Sequence, residues 1–220
     1  MSLVAVHDAA DRLGVSARQV QHLVARGDLT ALARGVIDAD SIERFLAVRG
    51  SRRTRAWSTP TAWGAIAILS GLDASWMGAT QRSRLQARLR SLTATELVER
   101  ARQRADVARF SGHTSAIEPL RAVVVGTGQA VARLGLAEVY GVDGYVGSEA
   151  VQRLVRQFGL ARDDAGRVVL RATTFPIQAV RELGDADVVL AGLDLAESLD
   201  VRERRAGLSA LSESLEKLRG

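Results

Sequence analysis

The chain has 220 residues, of which 47% are hydrophobic and 25% are charged, and its formal net charge is +5. It contains no cysteine, which excludes disulfides, thiolate zinc sites and cysteine nucleophiles. The longest apolar window, residues 62–72, is too short to span a bilayer, and the opening MSLVAVHD does not have the pattern of a secretory signal, so we expect a cytoplasmic protein without membrane association.

The first predicted elements are two short helices in residues 8–29, spaced like a helix-turn-helix. Ser16 is a typical N-cap residue, and the second helix is predicted from Ala17 to Arg26, where Gly27 supplies a left-handed stop. The apolar positions that recur at helical spacing are Ala9, Ala10, Leu13, Val20, Leu23 and Val24. The polar positions of the second helix, which should face solvent, are Arg18, Gln19, Gln21 and His22. A recognition helix needs such a surface to reach base edges and phosphates.

This pattern resembles the MerR/excisionase class of helix-turn-helix modules. The matching residues are Ala10, Leu13, Gly14, Val15, Ser16, Val20, Leu23, Val24, Gly27 and Leu29. Members continue with a short wing and a closing helix, which are matched here by Val36, Ile37, Asp40, Ser41, Ile42, Phe45 and Leu46. The resemblance implies a winged helix-turn-helix domain over residues 1–50 that binds double-stranded operator DNA, in the usual geometry as a homodimer on an inverted repeat. The alternative is a helical hairpin without a nucleic-acid role.

Cations are concentrated after this module, since residues 1–50 are balanced in charge and residues 51–110 carry a net charge of +7. Phosphate binding is independent of sequence and driven by counterion release, so flanking arginines can supply affinity to a neutral reader. We assign base reading to Arg18, Gln19 and His22, with Gln21 on the same exposed surface. The residues assigned to phosphates are Ser16, Arg52 and Arg53, and Arg34 is the wing's one cation.

Residues 51–115 are predicted to form a basic helical connector. A helix begins with Thr59 as N-cap and Pro60 at its first position, and an amphipathic helix with four arginines follows: Arg82, Arg84, Arg88 and Arg90. Thr93 and Glu96 form a capping box that opens a further helix, predicted to extend to Ala108. The tryptophans, Trp57, Trp63 and Trp76, are predicted to pack a junction between domains. A solvated helix face is the preferred interpretation of Arg100, Arg102 and Arg104.

Residues 116–220 have a mixed pattern that predicts an α/β domain, so that the whole chain falls in the α+β class. The predicted strands are Ala122–Val125, Val139–Val146 and Val168–Thr174. The predicted helices are Gln129–Leu134, one through Val151 and Phe158 capped by Ser148, Asp185–Ser198 and Asp200–Leu218. A hairpin-like turn is predicted at residues 163–166.

Catalytic and metal-binding patterns are sparse. The histidines, His7, His22 and His113, are far apart in sequence, and the acidic pair Asp185 and Asp187 is predicted at a helix start, where carboxylates favour the dipole. A strand leading into the Gly126 and Gly128 turn could hold a pyrophosphate, but Val131 occupies the third glycine position and no acid follows at the required distance. We therefore expect no cofactor, no metal and no enzymatic activity, with a nucleotide-binding enzyme as the lesser alternative.

Residues 116–207 resemble the C-terminal domain of AbiEi-type antitoxins. The match includes one segment, Val123–Ala132, in which a strand leads into a helix. The single matching residues are Tyr145, Val146, Gly166, Val168, Leu170, Arg171, Asp194, Leu195, Ser198, Asp200, Arg202 and Glu203. The resemblance implies a repressor of its own operon that is paired with a nucleotidyltransferase-like toxin. The alternative is an excisionase-like architectural or recombination-directionality factor, for which so long a C-terminal part is unnecessary.

Overall fold

A computed structural model describes residues 3–13, 15–25, 29–33, 35–39, 41–42, 45, 55–136, 141–198 and 200–220. The chain divides into two compact units, Met1–Thr54 and Arg55–Gly220. Helices occur together with sheets in both units, so the predicted α+β class is confirmed. Among the described residues, no helix combines the length and apolar character needed to cross a membrane.

The first unit contains two helices and a small antiparallel sheet. Its elements are β1 (Leu3–Ala5), α1 (Val6–Leu13), α2 (Ala17–Ala25), β2 (Ala31–Ala33) and β3 (Val36–Asp38). The strand order is β1-β3-β2, and Ala39, Ser41, Ile42 and Phe45 are helical. Gly35 connects β2 to β3 with a φ of 82°, a left-handed conformation that glycine adopts without steric cost.

The core of the first unit is formed by apolar residues from every one of these elements except β2. Its buried members are Val4, Ala9, Ala10, Leu13, Val20, Leu23, Leu29, Ile37, Ala39 and Ile42. The predicted apolar positions of both helices lie in or against this core. Strand β1 was not predicted from the sequence, and its place beside β3 depends on pairing of Val4 with Ile37.

The second unit is a five-stranded sheet surrounded by helices. Its strands are β4 (Asp106–Ser111), β5 (Val125–Gly126), β6 (Val142–Gly147), β7 (Ala161–Arg162) and β8 (Val168–Thr173), in the order β5-β6-β8-β4-β7. Strands β6 and β8 are parallel, and the other pairs are antiparallel. Its helices are α3 (Thr59–Leu69), α4 (Ala79–Leu89), α5 (Ala94–Ala101), α6 (Ile117–Val123), α7 (Gly128–Arg133), α8 (Val151–Gln157), α9 (Ile177–Ala186), α10 (Val189–Ala196) and α11 (Val201–Arg219).

The two faces of this sheet pack against different sets of helices, because side chains alternate along each strand. On one face, strand residues such as Val146 and Leu170 share a core with α6 and α8. On the other, Tyr145 packs with residues of α3, α5, α9, α10 and α11. The sheet is therefore the middle of three layers.

The segment predicted as a connector belongs to this same unit from Arg55 onward. Trp63 is fully buried, stacked on Phe175 with ring centroids 5.2 Å apart, and meets the Tyr145 ring edge-on at 5.5 Å. Trp57 is buried in the same core, and Trp76 lies at its surface, edge-on to Phe175 at 4.8 Å. Trp57 and Trp63 therefore pack the interior of one unit and not a junction between domains, and Trp76 lies at the surface of the same core.

The predicted helix through Ala108 ends at Ala101, and Asp106–Ser111 is strand β4. The alanines at 101, 105 and 108 have helical spacing, but β4 lies between β8 and β7 and pairs with both. Tertiary pairing therefore overrides a weak local helical preference. The capping box that opens α5 is confirmed, since Glu96 N donates to Thr93 Oγ1 and Thr93 N donates to Glu96 Oε2.

The predicted strand Ala122–Val125 is wrong, because Ile117–Val123 is helix α6 and only the short β5 follows. Ile117, Leu120 and Val124 are buried at helical spacing, whereas Ala122 and Val123 are exposed. The helix Gln129–Leu134 is found as α7, and the predicted Val168–Thr174 strand is found as β8. Residues 139 and 140 of the predicted Val139–Val146 strand lie outside the described residues.

Other predictions require correction at element ends. The helix Asp185–Ser198 is in fact the end of α9 followed by α10, because Asp187 is extended, with φ −147° and ψ 177°, and interrupts the helical path. The turn at residues 163–166 is present, but β7 and β8 lie on opposite sides of β4 and so form no hairpin with each other. The N-cap of α3 is Ser58, one residue before the predicted Thr59, and Ser148 begins a short 3-10 turn whose N-cap is Gly147.

Candidate nucleic-acid interface

Helix α2 is fixed on the first unit by its buried side. Val20 is fully buried and Leu23 is nearly so, and both belong to the core that α1 and the sheet share. The turn between α1 and α2 is held by Val15 N, which donates to Ala10 O at 3.0 Å. These contacts set the orientation of α2 relative to α1, so its outer surface is presented by a packed scaffold.

Ser16 caps α2 as predicted. Gln19 N donates to Ser16 Oγ at 3.2 Å, and Val20 N donates to Ser16 O at 3.1 Å. The hydroxyl oxygen of Ser16 accepts in this cap, so its hydrogen remains available to a phosphate oxygen. The residue can therefore hold the helix end and contact a DNA backbone at the same time.

The outer surface of α2 carries the four polar side chains singled out in the sequence. Arg18, Gln19, Gln21 and His22 are all exposed, and α2 contains no acidic residue. An arginine fork can pair with the O6 and N7 acceptors of guanine, and a glutamine amide can pair with the N6 and N7 groups of adenine. The surface thus combines base-reading groups with the absence of a carboxylate that would repel phosphate.

Arg34, Arg52 and Arg53 lie outside the described residues. The strands on either side of Arg34, β2 and β3, form an antiparallel pair. Ser41 holds this pair in place: Thr30 N donates to Ser41 Oγ at 3.1 Å, and Ser41 Oγ donates to Asp38 O at 2.7 Å. Ser41 is buried, and this role cannot be predicted from the sequence, because a serine suits an exposed helix start equally well.

A second concentration of polar groups lies inside the second unit, centred on Arg104. Its guanidinium donates to both carboxylate oxygens of Glu197, at 2.9 and 2.7 Å, and to Asp194 Oδ1 at 2.9 Å. Arg104 Nε also donates to Tyr145 Oη at 3.0 Å, and Tyr145 Oη donates to Asp194 Oδ1 at 2.5 Å. Arg104 is 2% exposed, so its prediction as part of a solvated helix face is wrong.

Arg171 extends this network across the sheet from β8 to β6. It binds Asp143 through two bonds of 2.6 and 2.9 Å, and its Nη1 lies 3.4 Å from Asp194 Oδ1. Asp143 is about half exposed, whereas Arg171 and Asp194 are buried. Two buried arginines thus share the carboxylate of Asp194, which balances charge at the contact between β8 and α10.

The charge states of the network follow from its burial and its ion pairs. Burial raises the pKa of Tyr145 well above its ordinary value, so the phenol stays protonated and donates. Burial by itself lowers the pKa of Arg104, but attraction to Glu197 and the other acids outweighs it and leaves that pKa raised. The pKa of Arg171 is raised in the same way, chiefly by Asp194 and Asp143 against desolvation. Every side chain here is already bonded to a neighbour, which is typical of a polar core that positions elements.

The Gly126 and Gly128 turn lies against this network. Thr127 between them is buried, and its Oγ1 is 3.5 Å from Asp194 Oδ2. The helix that follows, α7, has only six residues. Thr127 therefore packs this turn against the polar network, whose Asp194 carboxylate is paired with Arg104 and Arg171.

His113 and Asp187, two of the possible catalytic or metal-binding residues in the sequence, bond only to residues close to them in the chain among the contacts described. His113 Nδ1 lies 2.8 Å from Ser115 Oγ and caps a single 3-10 turn. Asp187 Oδ1 accepts from Val188 N, the residue before α10. Within the described ranges, no three or more histidine or carboxylate side chains are grouped to hold a metal ion.

Comparison of the chain with protein-family models, with curated proteins and with solved structures finds no match. The assignment of function therefore depends on the side chains of this chain and on what their arrangement can bind.

Proposed function

We propose that this protein is a DNA-binding transcriptional repressor, that its first unit is a winged helix-turn-helix with α2 as recognition helix, and that it acts as the antitoxin of a toxin-antitoxin operon which it autoregulates. The observation that carries the proposal is the outer surface of α2. A packed and capped helix there exposes one arginine, two glutamines and one histidine without a single acid. In this proposal Arg18, Gln19 and His22 read bases in the major groove, and Ser16 contacts a phosphate.

The antitoxin part of the proposal is supported by where the residues of the second resemblance lie. Tyr145, Arg171 and Asp194 come from three separate segments and meet in one buried network. In the proposal, this network keeps the second unit in the shape that a toxin recognises, and the toxin itself contacts exposed residues elsewhere on that unit. A nucleotidyltransferase-like toxin is the partner that the resemblance implies.

The DNA-binding part is tested by replacing Arg18 with alanine in the full chain. The operator is first obtained from the DNA upstream of the gene, and binding to it and to a scrambled duplex is measured by fluorescence anisotropy over a range of salt concentrations. We expect Arg18→Ala to weaken operator binding by about 1–3 kcal/mol, roughly tenfold or more, with little change on the scrambled duplex. Arg53→Ala should weaken both and reduce the salt slope by about 1.

Arg12→Ala is the matched control, because Arg12 is also exposed but lies on α1. It should leave the ratio of operator to scrambled affinity unchanged. If Arg18→Ala and Arg12→Ala preserve that ratio equally, α2 is not the reading helix.

The antitoxin part has its own test. The neighbouring open reading frame is expressed alone and then together with this chain, and growth of the host is followed. Growth arrest that co-expression relieves would support the pairing with a toxin. A neighbour that has no effect on growth, or an integrase gene in that place, would contradict it and favour the recombination-directionality role.

A further inference from the structure

Helix α4 of the second unit has an unusual solvent face. Its exposed side chains are Ala79, Thr80, Gln81, Ser83, Arg84, Ala87 and Arg88. Leu85 and Leu89 face the core, so the helix is anchored by its other side. The face formed by Gln81, Ser83, Arg84, Ala87 and Arg88 is called the α4 face below.

The charge on the α4 face is not balanced by nearby acids along the chain. Between Asp73 and Glu96 the sequence contains four arginines and no acidic residue. The one acid at this end of the stretch is already used, because Asp73 Oδ1 accepts from Arg82 Nη1 at 2.7 Å. Among the described residues, the guanidinium groups of Arg84 and Arg88 have no hydrogen-bond or ion-pair partner.

This arrangement is unfavourable for the isolated protein. Arg84 and Arg88 are four residues apart and therefore neighbours on the helix surface, where like charges cost about 0.2–0.5 kcal/mol. Arg88 lies in the last turn, where the helix dipole stabilises a cation, but Arg84 does not. A bound anion would relieve the repulsion between the two, whereas a face that only contacts water gains nothing from placing them together.

Further cations come from the end of α11. Arg219 Nε donates to Arg90 O at 2.8 Å and its Nη2 donates to Leu92 O at 2.6 Å, while Arg90 Nε donates to Leu218 O at 3.3 Å. These bonds fix the C-terminal ends of α4 and α11 side by side. They place Arg90 and Arg219 at the C-terminal end of α4.

From these observations we infer that the α4 face binds the phosphate backbone of duplex DNA. The inference rests on the proposed DNA-binding function and assigns a second contact surface to it. Arginine guanidinium groups supply the charge, and the short side chains of Ser83 and Ala87 let the backbone approach the helix closely. This surface contributes affinity and salt dependence without sequence preference, because contacts to phosphates are the same for every base sequence.

The test is the binding of the full chain to a random-sequence duplex as a function of salt concentration. Arg84→Gln together with Arg88→Gln should reduce the slope of log Kobs against log salt by about 2, and should weaken binding about tenfold near 0.1 M salt. Arg84→Lys with Arg88→Lys keeps both charges and should keep most of the slope. The folded state of each variant is checked by its melting temperature, which should not fall, since the removed groups have no partner in the protein.

The matched control is Arg181→Gln with Arg205→Gln, which removes the same charge from two other exposed helical positions. Acids along the chain offset the charge around both, with Asp185 four residues after Arg181 on α9 and with Asp200 and Glu203 within five residues of Arg205, so we expect a change in slope well below 1. Equal losses in the two double variants would mean that net charge alone matters, and would overturn the inference. If the wild-type chain binds duplex DNA and the α4 variant binds it with an unchanged slope, the α4 inference fails while the proposed function stands. If the wild-type chain binds no duplex at all, the proposed function fails first.

Discussion

Arg104 is the side chain on which the polar centre of the second unit depends. It joins Glu197 and Asp194, at the end of α10, to Tyr145 on β6, and its backbone carbonyl accepts from Trp63 Nε1 at 3.2 Å. A buried ion network contributes little net stability compared with an apolar core, because both partners lose their hydration. Removing one member is different, since the remaining charges then stay buried without compensation.

We therefore expect Arg104→Met to lower the free energy of unfolding by about 3–5 kcal/mol, measured by denaturant unfolding. Arg82→Met is the control: Arg82 pairs with Asp73 at 2.7 Å, but both side chains are partly or largely exposed, so the loss should be about 1 kcal/mol or less. Similar losses in the two variants would mean that removing Arg104 does not leave Asp194 and Glu197 as uncompensated buried charges.

The exposed surface of α2 could be predicted from the sequence, whereas the burial of Arg104 could not. The exposure of Arg18, Gln19, Gln21 and His22 was predictable, because helical periodicity and a capping serine are local signals. The burial of Arg104 was not, because its partners are 90 and 93 residues away in sequence. The exposure of an arginine in a charged run is predicted from the residues next to it in sequence. Nothing next to Arg104 indicates that Asp194 and Glu197 bind it in the folded unit.

At the scale of elements, helices α10 and α11 approach each other closely through two glycines. A Cβ built on Gly207 would lie 2.5 Å from Ala196 N and 2.5 Å from Gly192 O, both backbone atoms that cannot rotate away. Gly192 lies at the same crossing, where a Cβ built on it would be 3.3 Å from two side-chain atoms of Leu211. The contact between the two helices therefore requires that residue 207 lack a side chain.

Gly207→Ala sets two effects against each other. Alanine favours a helix interior by about 1 kcal/mol over glycine, but forcing a methyl group into a packed contact costs about 1–3 kcal/mol. Because the clash here is with backbone, we expect net destabilisation, seen as a lower denaturation midpoint. Gly184→Ala in α9 is the control, since its nearest neighbour would be Leu190 Cδ2 at an ordinary 3.6 Å, and it should be neutral or stabilising. Stabilisation by both substitutions would show that α10 and α11 can move apart without cost.

Elements with strong end signals and the continuous apolar strand β8 were predicted well, whereas strands β1 and β4 were not. The capping box of Thr93 and Glu96 and the cap of α11 by Asp200, whose Oδ1 accepts from Arg202 N at 2.7 Å, are encoded within four residues. Strand β4 has no such local signal, and its position between β7 and β8 exists only in the folded sheet. The same reason applies to β1, whose pairing with β3 exists only in the folded unit. Helix α6 is a different case, because the apolar run at residues 122–125 resembles a buried strand locally, whereas the buried positions Ile117 and Leu120 follow helical spacing.

At the scale of the whole molecule, charge is distributed unevenly along the chain. Residues 1–50 are neutral overall, residues 51–110 carry +7, and residues 111–220 carry −2. A neutral reader gives sequence preference at low affinity, and basic segments elsewhere supply binding that falls steeply with salt. This division predicts that changes on α2 alter which sequence is bound, whereas changes on the α4 face alter how tightly any duplex is bound.

The small size of the proposed base-reading surface predicts how many copies of the chain bind one DNA site. The proposed base-reading surface of one first unit consists of four exposed side chains, of which three are assigned to bases, and three side chains specify only a few base pairs. A repressor that acts at one operator needs a longer site, and two copies related by two-fold symmetry supply it with half-sites centred about 34–36 Å apart. We therefore expect selection from a random duplex pool by the full chain to yield inverted repeats with that spacing, and light scattering to give two chains per duplex. Recovered sites without two-fold symmetry, bound by a single chain, would contradict the repressor proposal and favour an architectural role.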